Sequence, residues 1–409
     1  MNSANWERKP LSAVADLCLG KMLDQNKNKG EPLPYLANVN VRWGEFSLHG
    51  LRAMRFEPKE IDRYGLKFGD IVMCEGGEPG RCAIWKNQVP GMMIQKALHR
   101  IRPSEVLDYR FLHYSFLHIG KSKGFDQFST GSTIKHLPSE KLAKVEVPVP
   151  PLPVQRRIAV ILSAYDDLIE NSQRRIRLLE AMARALYREW FVHFRFPGHE
   201  KLPRVASPLG DIPKGWEVKK LETVAEVNRA QINARTAPHE LHYIDISSVS
   251  PGQIDSVTTY AFADAPGRAR RIVQHGDVLW SCVRPNRRSH AQVMHPEPDT
   301  IASTGFAVLT ATKVPFTFLY FATTTDDFVT FLTNNATGAA YPAVSGSTFE
   351  KADLLIPPAP LLKKFGDATI PMSEQIHTHQ RQIQNLRRTR DLLLPRLLSG
   401  QVELKTEAA

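Results

Sequence analysis

Mostly apolar residues recur at alternating spacings of four and three positions in two long stretches of the chain. The first stretch has ten such positions: Ile158, Leu162, Tyr165, Ile169, Ser172, Ile176, Leu179, Ala183, Leu186 and Trp190. The second repeats them 207 residues later: Phe365, Thr369, Met372, Ile376, His379, Ile383, Leu386, Arg390, Leu393 and Leu397. This spacing is the a/d seam of a coiled coil and predicts two long helices. Pro371 and Pro395 lie inside the second pattern, and we expect each to kink or break that helix.

Other parts of the chain are also duplicated at nearly the same offset. Trp6-Glu7 returns as Trp216-Glu217, Gly69-Asp70 as Gly276-Asp277, and Val147-Pro148 as Ile356-Pro357. The pattern therefore indicates a tandem repeat of a unit about half the chain long.

Each predicted helix follows a segment of mixed pattern. Within these segments we predict strands at Ile71–Cys74, Ala143–Val147, Val278–Ser281 and Asp353–Ile356, and helices at Tyr109–Ile119 and Phe316–Leu332. The predicted fold class is α+β, a pseudo-two-fold tandem of two globular domains separated by two long helices that form an antiparallel coiled coil. The predicted limits are a first domain at 1–153, a first helix at 154–195, a linker and second domain at 196–360, a second helix at 361–400 and a tail at 401–409.

Composition narrows the choice of partners. The chain has 409 residues, a formal charge of +11 and a pI near 9.4, which favour a polyanionic partner such as DNA. No apolar stretch approaches the roughly 20 residues needed to span a bilayer, and no secretory signal is visible. The four cysteines form no C-x-x-C pair. We therefore expect a cytoplasmic protein with no membrane partner.

Known catalytic motifs are not evident. There is no Asn/Asp-Pro-Pro-Tyr/Phe tetrapeptide of amino-methyltransferases and no phosphate-binding G-x-x-x-x-G-K-[ST] loop. The histidines show no metal-ligand spacing, so we predict neither a catalytic nor a metal site. Two alternatives to a DNA-reading protein stay open: a coiled-coil scaffold with incidental basic charge, and a DNA-modifying enzyme with an unrecognised active site.

The strongest candidate for base contact is the segment from Arg284 to His290, after the predicted strand Val278–Ser281. Arginine pairs with guanine and asparagine with adenine in the major groove, so Arg284, Asn286, Arg287 and Arg288 are predicted DNA contacts. The alternative is a solvated basic loop that touches only phosphates.

Weaker candidates lie in loops that are also consistent with ordinary turns. In the first domain, Arg81 ends a glycine-rich loop that corresponds to the basic segment. Gly131–Lys135 and Ser345–Thr348 are interpreted as a repeated hydroxyl-rich element. The predicted contacts in these segments are Ser132, Thr133, Lys135, Tyr341, Ser347 and Thr348.

Aromatic residues cluster at the end of the first helix. The apolar area here is larger than one seam needs. We therefore predict that a partner binds Tyr187, Trp190 and Phe191, together with Leu397 of the second helix. The alternative is that the three rings pack the helix end against the second domain.

Four segments resemble the specificity subunit of type I restriction–modification systems, and the resemblance extends over essentially the whole chain. They are the helix-end segment Ala185–Val192, the domain-start segment Gly210–Val218, the closing segment Leu393–Gly400, and the P-x-P-P-L-x-x-Q segment Pro148–Gln155. The second half has no glutamine at the position that matches Gln155.

The resemblance implies a non-catalytic subunit with two target recognition domains. Each domain would read one half of a bipartite sequence in double-stranded DNA, and the helices would set the unspecified spacer. It also implies two methyltransferase subunits as partners, and restriction subunits through the complex. No cofactor is expected on this chain, since S-adenosylmethionine, ATP and Mg²⁺ would be used by the partners.

Overall fold

A computed structural model describes residues 6–22, 24, 28–131 and 135–402. The chain divides into two compact units. Unit 1 consists of Met1–Asn171 together with Ile383–Ala409, and unit 2 consists of Ser172–Gln382. Both units combine helices and sheets, so the predicted mixed fold class is confirmed.

The helices are α1 Pro58–Tyr64, α2 Tyr109–Lys121, α3 Ser139–Leu142, α4 Leu152–Tyr187, α5 Phe316–Thr323, α6 Asp326–Asn334, α7 Gly346–Glu350 and α8 Ala359–Leu398. The strands of unit 1 are β1 Arg8–Pro10, β2 Ala15–Leu19, β3 Glu31–Leu36, β4 Arg52–Phe56, β5 Ile71–Cys74, β6 Cys82–Ile84, β7 Met93–Ile94, β8 Leu98–Pro103 and β9 Glu146–Pro148. Those of unit 2 are β10 Arg204–Val205, β11 Ile212–Pro213, β12 Glu217–Lys220, β13 Ala225–Val227, β14 Glu240–Ile244, β15 Val249–Ser250, β16 Gln253–Ile254, β17 Thr258–Ala261, β18 Ala269–Ile272, β19 Val278–Ser281, β20 His290–Gln292, β21 Thr300–Ser303, β22 Phe306–Ala311 and β23 Asp353–Ile356. No helix of the described residues is long and apolar enough to cross a membrane.

The duplication is visible in the sheets. Unit 1 contains an antiparallel sheet of order β2-β8-β5-β6, and unit 2 repeats it as β13-β22-β19-β20. A second sheet in each unit has one parallel pair, β3 with β7 and β14 with β21. The short pairs β1-β9 and β12-β23 join the start of each domain to the strand that precedes its long helix.

The repeated Gly-Asp turn has the same backbone role in both units but a different partner. The carboxylate of Asp70 accepts the backbone N–H of Lys67 at 2.7 Å, and that of Asp277 accepts the N–H of Gln274 at 2.8 Å. Asp70 pairs through two 2.7 Å contacts with Arg102. At the corresponding position of β22, Thr310 donates its hydroxyl to Asp277 at 2.7 Å. Burial raises the pKa of Asp277 to about 6.

The two long helices pack antiparallel within each unit. In unit 1, Asp166 of α4 forms an ion pair with Arg390, near the end of α8. In unit 2, Tyr187 at the end of α4 contacts Phe365, near the start of α8, with 6.1 Å between ring centroids. The seam residues are all buried or half-buried. The predicted antiparallel coiled coil is confirmed.

Of the expected kink or break at the two prolines, the break does not occur, because α8 is continuous from Ala359 to Leu398. Pro371 and Pro395 are both exposed, on the side of the helix away from the seam. The carbonyl groups that lose an N–H partner therefore face solvent, which can satisfy them.

The helix predicted over Phe316–Leu332 is two helices, α5 and α6. Thr325 separates them, and its hydroxyl accepts the backbone N–H of Phe328 at 3.2 Å as an N-cap. The apolar pattern continues across this break because both helices are buried in unit 2.

Gln155 explains the P-x-P-P-L-x-x-Q segment. Its side chain is completely buried, accepts the N–H of Asp108 at 2.8 Å and donates to the carbonyls of Val106 and Pro150 at 3.0 and 2.7 Å. It ties the first turn of α4 to the segment that starts α2. Unit 2 lacks this glutamine, and α8 begins two residues earlier relative to the motif.

Candidate nucleic-acid interface

A basic turn joins β19 and β20 of unit 2. The backbone N–H of Ser281 donates to the carbonyl of Ser289 at 2.9 Å and closes the turn. Pro285–Arg287 forms a short 3-10 helix between Arg284 and Arg288, which have left-handed φ angles of 51° and 56°. Such backbone conformations cost about 1–3 kcal/mol each in residues other than glycine. The surrounding contacts therefore hold the turn in a defined shape.

Arg284 is held by the segment that passes beside it. Its backbone N–H donates to the carbonyl of Pro342 at 2.7 Å, and its Nη2 donates to the carbonyl of Ala340 at 3.3 Å. The guanidinium lies over the ring of Tyr341, 4.6 Å from the centroid. Tyr341 is 69% exposed, so this cation–π contact presents the ring to solvent.

Arg288 fixes the other end of the turn. Its guanidinium forms an ion pair with Asp326 at the N-terminus of α6. The hydrogen bond from Arg288 is the main reason that the pKa of Asp326 is lowered. Arg288 is thus occupied within the unit and anchors the turn on α6.

Asn286 and Arg287 lie between these anchors and are exposed. Within the described part of the chain, neither side chain makes a hydrogen bond or an ion pair. The turn therefore presents an amide and a guanidinium that have their hydrogen-bonding groups free for a ligand.

The turn borders an open cleft of about 400 Å³. Its polar and aromatic lining includes Asp245, Ser247, Ser281, Arg284, Arg287 and Tyr341. Hydrogen bonds, led by that from the Ser247 hydroxyl at 2.6 Å, lower the pKa of Asp245 and keep this carboxylate ionised. The cleft thus offers donors and an acceptor, as base edges in the major groove require. Sequence reasoning missed Asp245, which lies far from the basic turn in the chain.

The loop of unit 1 that corresponds to the basic turn is more tightly packed. Arg81 pairs with Glu78 at 3.0 Å and donates to the carbonyl of Asn38 at 3.0 Å, leaving its side chain 16% exposed. Gly80 has φ 90°, and a Cβ there would lie 2.3 Å from the ring of Phe125. The loop is therefore tightly packed, and Arg81 is less accessible than Arg287.

Two of the predicted contacts, Ser132 and Thr133, lie outside the described residues. Lys135, which follows them, is paired with Asp126 at 2.8 Å.

The interpretation of Gly131–Lys135 and Ser345–Thr348 as one repeated element is wrong. Two backbone hydrogen bonds link Thr130 to His136, and the same two bonds link Thr337 to Ala343. The counterpart of Gly131–Lys135 is therefore the segment that contains Tyr341. The short Gly-Ser-Thr similarity had suggested a register eight residues out.

Ser345–Thr348 instead begins the short helix α7. The hydroxyl of Thr348 accepts the N–H of Ser345 at 3.3 Å, and the hydroxyls of Ser345 and Ser347 are 2.8 Å apart. These groups cap the helix. A phosphate contact by Ser347 or Thr348 stays a prediction.

The residues predicted to bind a partner are largely internal. Tyr187 and Phe191 are buried in the core of unit 2, where Phe191 lies 4.9 Å from Phe365 between ring centroids. Trp190 is half-buried beside them, and Leu397 is buried in the core of unit 1. Packing within the chain, the alternative to a partner surface, accounts for these contacts.

Other apolar side chains of α4 do face solvent. Leu178 and Met182 are each 55% exposed and lie one turn apart on α4, outside the seam. Exposed apolar groups that lie together are the kind of surface at which other proteins can bind. The heptad pattern does not predict these exposed residues, because it identifies only the positions in the seam.

The chain is similar to specificity subunits of type I restriction–modification systems in both sequence and structure. Residues 3–181 match the family model described as the type I restriction modification DNA specificity domain. The chain is 26% identical to the type I restriction enzyme MjaIX specificity subunit of Methanocaldococcus jannaschii, over 98% of this chain and 94% of that protein. It is 20% identical to the MjaVIII specificity subunit of the same organism, over 91% of this chain and 86% of that protein. Among solved structures, the S subunit of a type I restriction–modification system from M. genitalium superposes with a TM-score of 0.57 at 16% identity, over 96% of each chain.

Proposed function

Because the chain belongs to the family of type I restriction–modification specificity subunits, we propose that it recognises a DNA sequence for such a system. Subunits of this family are not catalytic themselves. The observation that carries the site assignment is the turn in unit 2, where Asn286 and Arg287 project between two anchored arginines. Their free donors match the guanine and adenine edges of the major groove.

The cleft beside the turn would complete the contact. Arg284 and Tyr341 border it on one side and suit phosphate contacts, which position a protein on the duplex without reading its sequence. The carboxylate of Asp245 accepts hydrogen bonds and suits the amino group of cytosine or adenine. A basic chain with a charge of +11 adds the sequence-independent attraction to DNA.

We further propose that the target is bipartite. The two units share the strand order of their main sheets but differ in the loops that follow β5 and β19. The first loop is packed and carries glutamates, whereas the second is exposed and basic. Two similar frameworks with different loops suit two different half-sites. Helices α4 and α8, with 36 and 40 residues, would set the spacer.

The chain would also assemble with the other subunits of the system. We propose that it binds two methyltransferase subunits and, through them, restriction subunits. Leu178 and Met182 are candidates for this contact, since their exposed apolar groups lie on α4 outside the seam. S-adenosylmethionine, ATP and Mg²⁺ would be used by the partners.

The decisive experiment maps adenine methylation in a strain that carries this chain with its methyltransferase. We expect one split sequence motif with a fixed spacer. Inserting one heptad in both α4 and α8 adds about 10 Å of helix, the length of about three base pairs of B-form DNA. The insertion should change the preferred spacer and leave both half-sites unchanged.

The matched control replaces one heptad of each helix with another of equal length. It should leave the spacer unchanged. Methylation of a continuous motif, or a spacer that does not respond to the insertion, would contradict the bipartite proposal.

A further inference from the structure

Three metal-binding side chains of unit 2 meet beside α8. His275 lies just before β19, His295 follows β20, and Glu374 lies on α8. Nε2 of His295 is 2.8 Å from Oε2 of Glu374, and Nε2 of His275 is 3.8 Å from Oε1. One ligand atom from each residue lies within 4.8 Å of the other two. In the part of the chain that the structure describes, this is the one group of three or more His, Cys, Asp or Glu side chains close enough to share an ion.

A fourth donor lies next to the group. His377 follows Glu374 by three residues on α8, so both side chains are on the same face of the helix. Its ring centroid is 5.5 Å from that of His295. Nε2 of His377 is buried and has no hydrogen-bond partner among the described residues. A buried polar atom without a partner is uncommon in folded proteins and is satisfied when it binds a ligand.

The backbone holds the two turn histidines together. His295 has a left-handed φ of 44°, a conformation that costs energy in residues other than glycine. Its ring is 4.4 Å from that of His275 between centroids, and its backbone N–H donates to Nδ1 of His275 at 3.2 Å. Both imidazoles are therefore directed toward α8 by the turns that carry them.

We propose that His275, His295 and Glu374, with His377 as the fourth donor, bind one transition-metal ion of the zinc class. Three imidazoles and a carboxylate are the donors preferred by Zn²⁺ and its neighbours, whereas Mg²⁺ and Ca²⁺ prefer oxygen ligands alone. Tetrahedral zinc with bonds of about 2.0–2.1 Å places its donors about 3.4 Å apart. The separations of 2.8 and 3.8 Å bracket that value, so side-chain rotations are sufficient to form the site.

Binding requires one proton rearrangement. Nδ1 of His275 accepts the N–H of His295, which places the proton of a neutral ring on Nε2. Coordination through Nε2 moves that proton to Nδ1 and opens the 3.2 Å contact. The backbone N–H of His295 would then become accessible to solvent.

The ion would link α8 to the sheet of unit 2 that contains β19 and β20. Glu374 and His377 belong to the helix, while His275 and His295 belong to the turns on either side of the β19–β20 hairpin. This role is separate from reading DNA, because the four residues are not among those that border the cleft.

The test uses the full chain without an affinity tag, stripped of metal, and titrates it with Zn²⁺ by calorimetry. We expect one ion per chain. At a free concentration about 100 times the Kd, the Tm of the chain should rise by about 3 °C. His295→Ala and Glu374→Ala should each weaken binding at least tenfold and reduce the rise in Tm at that concentration by about half or more. His379→Ala, on the same helix but outside the group, should bind as the parent does.

Two measurements distinguish loss of the metal site from loss of folding and from metal binding by the cysteines. Circular dichroism of the metal-free variants should match that of the parent, so that loss of binding is not loss of folding. The visible spectrum with Co²⁺ should show d–d bands of nitrogen and oxygen ligation without thiolate charge transfer, which excludes the cysteines. Absence of stoichiometric binding, or full binding by the His295 and Glu374 variants, would overturn the proposal. Neither result bears on DNA recognition, which is measured separately.

Discussion

The guanidinium of Arg284 lies over the ring of Tyr341, 4.6 Å from its centroid, although the residues are far apart in the sequence. Arg284 comes from the turn between β19 and β20, and Tyr341 comes from the segment before α7. Their contact joins these two segments at the border of the cleft. Tyr341 gains little from burial, because it is 69% exposed. The stacking of Arg284 on Tyr341 therefore stabilises the border of the cleft and adds little to the hydrophobic core.

Substitutions of Tyr341 test whether its contact with Arg284 contributes to DNA binding. In Tyr341→Ala the guanidinium loses a cation–π contact of about 1 kcal/mol, and we expect DNA affinity to fall about fivefold to tenfold. Tyr341→Phe keeps the stacking and should remain within about twofold of the parent by fluorescence anisotropy. A Phe variant as weak as the Ala variant would instead assign the effect to the hydroxyl. An Ala variant that binds normally would remove Tyr341 from the interface.

Arg287 and Arg288 should have separable roles. Arg287→Ala removes an exposed guanidinium with no partner in the described chain, so it should weaken specific DNA binding by about 1–3 kcal/mol without lowering the Tm. Arg288→Ala breaks the ion pair with Asp326, so a change in Tm or in the mobility of the turn should accompany its loss of affinity. Binding curves and thermal melts measure both.

Lys313 provides the matched control for these arginines. It is exposed and follows β22, at the opposite end of the sheet from the turn. Lys313→Ala should therefore bind specific DNA nearly as well as the parent. An equal loss of affinity in all three variants would indicate charge attraction without base contact.

The exposed pair on α4 should matter for assembly. Leu178→Asp with Met182→Asp places charges where an apolar partner surface would pack, and we expect at least a tenfold loss of co-purified methyltransferase. Val257→Asp changes a residue of unit 2 that is 49% exposed but not on the helix, and should not affect assembly. DNA binding by the isolated chain should be normal in both. Full assembly of the double variant would place the contact elsewhere.

Asp277 should make stability depend on pH. Its folded pKa is about 6, above its ordinary value near 4, because burial disfavours the charged form. The stabilisation of the folded state that comes from neutral Asp277 is therefore complete below pH 4 and is lost as the pH rises through 6. Asp277→Asn does not ionise, so its free energy of unfolding relative to the parent should increase by about 2 kcal/mol between pH 4 and pH 7.

Denaturant unfolding at several pH values measures this difference. Asp70→Asn is the contrasting variant, because it removes the charged partner of Arg102 and should destabilise unit 1 at both ends of the range. A difference between Asp277→Asn and the parent that is independent of pH would show that the pKa of Asp277 is the same in the folded and unfolded chains, and would contradict the prediction.

The framework of the fold was predictable because its signals are local and repeated. The strands Ile71–Cys74 and Val278–Ser281 follow a Gly-Asp turn, and the structure has them at those residues. The coiled coil follows from the heptads alone. The breaks expected at Pro371 and Pro395 were wrong because a helix tolerates proline where the freed carbonyl faces solvent.

The site was only partly predictable because its members come from distant segments. Arg284 and Arg287 are evident in the sequence as a basic run after a strand. Asp245 has no local signal, and its place in the cleft depends on how the two sheets of unit 2 pack. The group formed by His275, His295 and Glu374 was missed for the same reason, since linear spacing does not report a meeting between two turns and a helix.

Unit 1 is discontinuous in the chain, and this affects how the protein can fold during its synthesis. Leu394 and Leu397 belong to the core of that unit, alongside Ile158 and Leu162 of α4. On the ribosome, the segment that is made first must wait for these late residues, while all of unit 2 has already emerged. The N-terminal unit is therefore the last to be completed, and until then it has only part of its core.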